Sequence, residues 1–226
     1  MILVEHGPDG GPALFERARA VVLATRPSQV RTALAEAEAA RAAGAWVAGY
    51  VAYEAGYALE PRLARLMPRR RSGPLVALGI YDAPGDAAPA LARAAEAGRT
   101  TGMTEPRPLI GRRAYGNAAR QVLGYVAAGD CYQVNLTFPM AARLVHGSAL
   151  GLYGAFRRTG AVGHGAYVDL GVGPVVVSRS PELFFQVTAD GRILARPMKG
   201  TRPRGQDAAE DAAIVAELQA AEKDRA

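Results

Sequence analysis

Cysteine is almost absent from this 226-residue chain, which contains only Cys131. A single cysteine excludes an internal disulfide framework and any zinc site built from several cysteines. Histidine is nearly as scarce, since His6, His146 and His164 lie far apart in the sequence without metal-ligand spacing. We therefore expect these histidines to be structural or exposed rather than metal ligands.

Long apolar runs are also missing, so the sequence predicts no transmembrane segment. Glu5 and Asp9 follow the first few residues, and the start of the chain lacks the basic-then-apolar pattern of a signal peptide. We expect a cytoplasmic protein without a membrane partner. Hydrophobic residues make up 50% of the chain and charged residues 21%, which favours a folded globular protein over a disordered one.

Lysine is the scarcest charged residue, because Lys199 and Lys223 are the only two among 27 basic residues. The net charge is +6 and the pI is about 9.8. Such basicity is consistent with nucleic-acid binding, with attraction of an anionic substrate, or with a compositional bias toward arginine and alanine. The arginines are spread along the chain, and only Arg69 to Arg71 forms a run. We favour the compositional explanation and expect no nucleic-acid partner.

Apolar periodicity divides the chain into alternating helices and strands. We predict helices over 27–43, 112–128, 148–158 and from 207 to the last residue, and strands over 19–25, 46–53, 75–81, 131–142, 165–170, 174–178, 182–188 and 192–196. Residues 82–108 are rich in proline, glycine and alanine and predict a poorly constrained connection between two regions. Helices followed by antiparallel strands indicate an α+β fold.

Two of these elements have a definite predicted face. The helix over 112–128 should bury one side, formed by Tyr115, Ala118, Ala119, Val122 and Val126. In the strand over 131–142, Gln133 and Asn135 should share the face opposite the apolar side chains.

Lys199 stands in the run Arg-Pro-Met-Lys-Gly-Thr-Arg-Pro-Arg-Gly of residues 196–205. A buried or crowded lysine loses its proton more easily than arginine, and its amine then attacks carbon. Gly200 and the flanking prolines restrict the backbone and allow a ligand to approach closely. These ten residues alone are equally consistent with a solvated lysine in a basic loop.

Other segments change that interpretation. They are Gly-Asp-Cys-Tyr-Gln-Val-Asn-Leu-Thr at 129–137, Ser-Pro-Glu-Leu-Phe-Phe at 180–185 and Lys-Asp-Arg-Ala at 223–226. In this order and spacing the chain resembles the chorismate-utilising enzymes, most closely the synthase component of the aminodeoxychorismate type, with anthranilate synthase component I as a near relative. Residues 46–61 are similar to the N-terminal region of that component.

The resemblance implies a four-layer α/β/β/α fold that is incomplete because its C-terminal half is missing. Residues 1–108 would form the N-terminal region, and residues 109–226 the first half of the chorismate-binding catalytic domain. The implied activity converts chorismate and ammonia, supplied by a glutamine amidotransferase subunit, to 4-amino-4-deoxychorismate for 4-aminobenzoate and folate biosynthesis, with Mg²⁺ as cofactor. The alternatives are anthranilate synthase component I and a non-catalytic truncated domain.

The resemblance also assigns roles to single residues. Glu182 would protonate the departing hydroxyl of chorismate, and a partly desolvated position at the start of a strand would suit that task. Lys199 would attack the ring and be displaced by ammonia, while Gly200 and Thr201 would help to hold the substrate. Gln133 stands where relatives that add water carry a lysine, which argues for ammonia as the nucleophile.

The expected Mg²⁺ ligand of the family is a glutamate that would lie just beyond Ala226, so the chain itself is predicted to supply no metal ligand. We therefore expect a fragment of about half a synthase component, inactive on its own. Residues 160–164 depart from the Asn-Pro-x-Pro pattern that contributes to tryptophan binding in anthranilate synthases, so no tryptophan site is predicted.

Overall fold

The structure, a computed structural model, describes residues 1–160, 162–188, 190–198 and 200–222. The strands are β1 (Ile2–Val4), β2 (Ala13–Phe15), β3 (Ala20–Ala24), β4 (Trp46–Val51), β5 (Val76–Tyr81), β6 (Gly85–Asp86), β7 (Gly102–Met103), β8 (Arg107–Pro108), β9 (Met140–Ala141), β10 (Leu144–His146), β11 (His164–Val168), β12 (Val176–Ser180), β13 (Leu183–Val187) and β14 (Ile193–Arg196). The α-helices are α1 (Val30–Ala42), α2 (Ala55–Leu59), α3 (Ala88–Gly98), α4 (Arg112–Ala128), α5 (Ala149–Arg158) and α6 (Ala208–Ala220). Helices and sheets both contribute, which confirms the predicted α+β class.

The largest sheet joins strands from distant parts of the sequence. Its order is β12-β11-β1-β2-β6, and all its pairs are antiparallel. Leu3 of β1 lies between Tyr167 of β11 and Leu14 of β2. The first strand is therefore tied to a strand more than 160 residues later, across both regions of the predicted domain division. That division itself stays a prediction.

Helices α3 and α5 pack together on this sheet at very short range. Ala90 and Ala94 of α3 are fully buried, as is Tyr153 of α5. A Cβ atom at Gly154 would lie only 1.8 Å from the carbonyl oxygen of Ala94, so the contact requires glycine there. The prediction of a loose connection over 82–108 is wrong, because its alanines form one buried face of a helix.

A second core lies under the antiparallel sheet β3-β5-β4. Helix α1 buries Val30 and Ala33 against Val22 of β3 and Leu75, which precedes β5. The predicted strands and helix of this segment are confirmed. The helix ends where expected, since Gly44 adopts a φ of +88° that few other residues tolerate.

Two stretches of the described chain, 109–147 and 181–222, contain no buried side chain. Helix α4 has the predicted bounds and ends at Gly129 with a φ of +80°. Its predicted buried face is nevertheless only half-buried or exposed, with Val126 at 39% exposure, so that part of the prediction is wrong. Among the described residues, nothing packs over this face closely enough to bury it.

The strand predicted over 131–142 is also absent apart from β9, which pairs with β8 through Met140 and Pro108. Alternating side chains are not enough to form a strand when no neighbouring backbone is available for pairing. Helix α6 ends at Ala220, because Ala221 has an extended ψ of 113°. The predicted run to the last residue ends in 223–226, which lie outside the described residues. The predicted strands after residue 160 and helix α5 are confirmed within one or two residues at most ends.

None of the helices in the described ranges is long and apolar enough to span a membrane.

Candidate active site

The bend between β12 and β13 positions Glu182. The backbone N–H of Glu182 donates to Ser180 Oγ at 3.4 Å, and the same hydroxyl donates to the carbonyl oxygen of Glu182 at 3.1 Å. Serine followed by proline favours such a local turn, since proline fixes its own φ and serine bonds to nearby backbone. The start of β13 is thus held by a two-residue serine turn.

The carboxylate of Glu182 reaches across to the chain that follows β14. Its Oε1 atom accepts a hydrogen bond from the backbone N–H of Met198 at 3.1 Å. The hairpin register explains this contact, because Leu183 pairs with Arg196, so the residue before one strand faces the residues after the other. The side chain is nevertheless exposed to solvent, so the expected desolvation of Glu182 is wrong for this structure.

Lys199 follows Met198 directly in the sequence but lies outside the described residues. The residue after it, Gly200, has a φ of +51°, in the left-handed region that favours glycine. Thr201 is exposed and belongs to no helix or strand. The structure therefore brings Glu182 next to the segment of the predicted lysine motif without locating the amine.

The chain after Thr201 is anchored to helix α6 by side chains. Arg204 donates to Asp211 through Nε at 2.7 Å and Nη2 at 2.5 Å, and the hydrogen bond from Arg204 holds the pKa of Asp211 below its usual value. Asp207 caps the helix by accepting from the backbone N–H groups of Ala209 and Glu210 at 2.9 and 2.8 Å. The sequence predicts the start of this helix correctly but not the arginine–aspartate contact.

Gln133 lies on the irregular segment between α4 and β9, where its side chain is exposed. No hydrogen bond joins it to Glu182 within the described ranges. The structure thus places the predicted glutamine and the predicted acid on separate exposed segments.

A metal site was expected to need ligands beyond this chain. Among the described residues no group of three or more His, Cys, Asp or Glu side chains could hold a metal ion. The described residues therefore supply no cluster of three or more ligands for Mg²⁺.

Comparison with known proteins places these segments in context. Residues 14–226 match the sequence model of a family described as chorismate binding enzyme. The chain belongs to the chorismate-binding enzyme family. The match covers the turn at Glu182, the segment around Gln133 and the lysine motif.

Three relatives show how the chain compares with members of this family. It is 43% identical over 115 residues to anthranilate synthase component 1 of Thermus thermophilus, covering 50% of this chain and 24% of that protein. It is 43% identical over 101 residues to aminodeoxychorismate synthase of Streptomyces griseus, covering 45% of this chain and 14% of that protein. It is 38% identical over 120 residues to aminodeoxychorismate synthase component 1 of Klebsiella aerogenes, covering 53% of this chain and 26% of that protein.

The chain thus spans about a quarter or less of the length of these relatives. No solved structure is significantly similar to it.

Proposed function

We propose that the chain is part of an aminodeoxychorismate synthase component, which converts chorismate and ammonia to 4-amino-4-deoxychorismate for 4-aminobenzoate and folate biosynthesis. The observation that carries the proposal is Lys199, one of two lysines in an arginine-rich chain, in the run Pro-Met-Lys-Gly-Thr. Two of the three relatives described above bear the name of this activity.

In the proposed mechanism, Lys199 is the nucleophile and Glu182 is the general acid. The uncharged amine forms a C–N bond to the chorismate ring, the bond to the 4-hydroxyl breaks, and Glu182 gives the proton with which the hydroxyl leaves as water. Ammonia then forms the new C–N bond and displaces the lysine amine. The hydrogen bond from the Met198 backbone to Glu182 supports this pairing. Met198 directly precedes Lys199 in the sequence, so the bond holds the acid beside the segment that carries the lysine.

Gln133 supports ammonia rather than water as the incoming nucleophile. Water needs a base to remove a proton as it attacks, and a neutral amide cannot do this. Ammonia attacks as the free base and needs no such group.

We also propose the remaining expectations of the family resemblance. These are a Mg²⁺ cofactor, a glutamine amidotransferase partner that supplies ammonia, a cytoplasmic location, and a four-layer arrangement in which the two sheets described above take part. We further propose that residues 109–226 form the first half of the catalytic domain and that the chain alone is inactive. The exposure of both Gln133 and Glu182 supports that inactivity.

Anthranilate synthase component I is the second candidate. The match to the Thermus thermophilus protein favours it, at 43% identity over 115 residues. The two candidates differ at Lys199, since anthranilate synthases usually carry alanine at the matching position of the family motif. The lysine therefore favours the first candidate.

The test is product analysis of the protein expressed from its complete reading frame, with chorismate, ammonium and Mg²⁺. Chromatography and mass spectrometry distinguish 4-amino-4-deoxychorismate from anthranilate. The proposal expects the first product, and expects Lys199→Ala to lose it.

Lys199→Arg is the matched control, because it keeps the positive charge but removes the nucleophilic amine. Loss of product in both variants supports nucleophilic catalysis. Full activity of Lys199→Arg, or anthranilate as the wild-type product, would contradict the proposal.

A further inference from the structure

A cleft of about 320 Å³ lies where strand β4 and the chain leading into β5 meet the turn between β11 and β12. Its walls include the apolar side chains of Val51, Leu75, Pro174 and Val176. None of the residues predicted for chorismate chemistry lines it. The apolar walls fit the body of a small organic molecule better than an ion.

Two polar atoms on the lining residues of this cleft have no partner. Four buried side-chain nitrogen or oxygen atoms in the described ranges lack a hydrogen bond, and two of them, Tyr50 Oη and Arg71 Nε, belong to residues that line the cleft. A buried polar group without a partner is costly and is rare in folded proteins. Two such groups on residues of one cleft suit a ligand that supplies hydrogen-bond acceptors.

The guanidinium of Arg71 is held in place by the backbone. Nη1 donates to the carbonyl oxygen of Pro68 at 2.7 Å, and Nη2 donates to that of Thr25 at 3.1 Å. These bonds use the two terminal nitrogens and leave the Nε–H group for a ligand. The donor is therefore fixed before any ligand binds, which lowers the entropy cost of binding.

The backbone packs closely beside the Tyr50 hydroxyl at a glycine. A Cβ atom at Gly173 would lie 3.0 Å from Tyr50 Oη and 2.7 Å from Cδ of Pro74, and Gly173 has a φ of +69°. Burial raises the pKa of Tyr50, so its phenol is a neutral donor near pH 7. A side chain at Gly173 would therefore crowd the Tyr50 hydroxyl.

Charge and hydrogen-bonding capacity define the ligand. Glu54, a half-buried residue, also lines the cleft and has the opposite charge to Arg71, so a neutral ligand fits better than an anion. We propose that this cleft binds a small molecule that carries a primary carboxamide. Its carbonyl oxygen accepts hydrogen bonds from Tyr50 Oη and Arg71 Nε, and its amino group donates to Glu54.

Propionamide and propionate are the probes, because they have nearly the same shape but differ in charge and in donor groups. Saturation-transfer NMR on the 226-residue chain detects millimolar binding of each. We expect propionamide to bind. Propionate should not bind, or should bind roughly tenfold more weakly, which corresponds to a loss of about 1.4 kcal/mol of binding free energy. No binding of propionamide, or equal binding of the two probes, would overturn the proposal.

Paired variants identify the site. Tyr50→Phe and Arg71→Met should each weaken propionamide binding roughly tenfold, the effect of losing one hydrogen bond. Tyr132→Phe and Arg70→Met change exposed side chains of the same types and should leave binding unchanged.

The thermal midpoint of ligand-free Tyr50→Phe gives a second test that needs no ligand. It should equal or exceed that of wild type, because the variant removes an unpaired hydroxyl. A clearly lower midpoint would mean that the hydroxyl is already satisfied and would overturn the proposal.

Discussion

The described chain consists of two parts that differ sharply in burial. Residues 1–108 together with 148–180 contain every buried residue, whereas 109–147 and 181–222 contain none. The difference does not arise from composition alone. Leu123 and Phe184 in the second part are as apolar as the core residues but remain 66% and 85% exposed. Apolar side chains create a core only where the fold brings other elements to cover them.

The candidate site lies in the unburied part, which contains Gln133, Glu182 and Thr201. Catalytic groups act efficiently when surrounding structure fixes them and excludes water. Strand β12 of the well-packed part leads directly into the turn at Glu182 and supports the candidate site. The well-packed part does not enclose that site. The structure thus supplies a scaffold with the chemical groups on its exposed segments.

The largest expected effect that separates the two parts is the loss of a buried leucine side chain. Leu3 is 0% exposed, between two strands and beneath α3. Leu3→Ala should lower the free energy of unfolding by about 2–5 kcal/mol, because it leaves a cavity. Leu123→Ala, at 66% exposure, should change it by less than about 0.5 kcal/mol. Urea unfolding measures both changes in the free energy of unfolding. Equal losses of stability in the two variants would contradict the difference in burial between the two parts.

Glycine to alanine should act with opposite sign in the two parts. In Gly154→Ala the new methyl group meets the Ala94 carbonyl at 1.8 Å, so the variant should lose about 1–3 kcal/mol of stability through forced separation of α3 and α5. A Cβ atom at Gly124 in α4 has nothing within 4 Å. Gly124→Ala should therefore stabilise the helix by about 0.5–1 kcal/mol. Circular dichroism during thermal unfolding gives both signs, and stabilisation by Gly154→Ala would contradict the close helix contact.

A smaller effect should appear at alkaline pH in the packed part. Burial and the 2.5 Å hydrogen bond to Glu5 raise the pKa of Tyr153 above its ordinary value of 10.0. A group whose pKa is raised in the folded state contributes stability below its unfolded pKa, and this contribution is lost as the pH rises further. Above pH 10 the folded protein should lose up to about 1.4 kcal/mol per pH unit from this residue.

Tyr153→Phe should flatten that alkaline decline, although the raised pKa values of Tyr81 and Tyr167 leave part of it in place. Urea midpoints measured between pH 9 and 11 would show the change. Tyr132→Phe removes an exposed phenol and serves as the control. An unchanged slope in Tyr153→Phe would contradict the coupling of this phenol to folding.

The sequence predicts elements well where the signal is local. Helix α4 begins and ends as its capping glycine and periodicity indicate, and the β13–β14 hairpin follows from two apolar runs around a glycine turn. The sequence does not predict the helix over 88–98, because its alanine-rich composition resembles that of a loop when the partner helix is unknown. The strand predicted over 131–142 is mostly absent for the complementary reason, since residues 131–138 pair with no strand in the described chain.

For the candidate site, the sequence identifies residue types but not their surroundings. The family motifs identify Glu182 and Lys199. The exposure of Glu182 depends on which elements cover β13, and no local sequence pattern predicts that. The contact between Glu182 and the Met198 backbone could have been inferred from the hairpin register. The Arg204–Asp211 pair joins a loop to a helix through side chains, so no periodic sequence pattern predicts it.

The proposed attack of Lys199 on chorismate is best tested by the mass of the peptide that carries this lysine. The protein from the complete reading frame is incubated with chorismate and Mg²⁺ without ammonium, then quenched and digested. We expect a Lys199 peptide that is heavier by the mass of chorismate minus water, and this adduct should disappear when ammonium is added before the quench. An unmodified Lys199 peptide in a preparation that turns over chorismate once ammonium is supplied would contradict nucleophilic attack by this lysine.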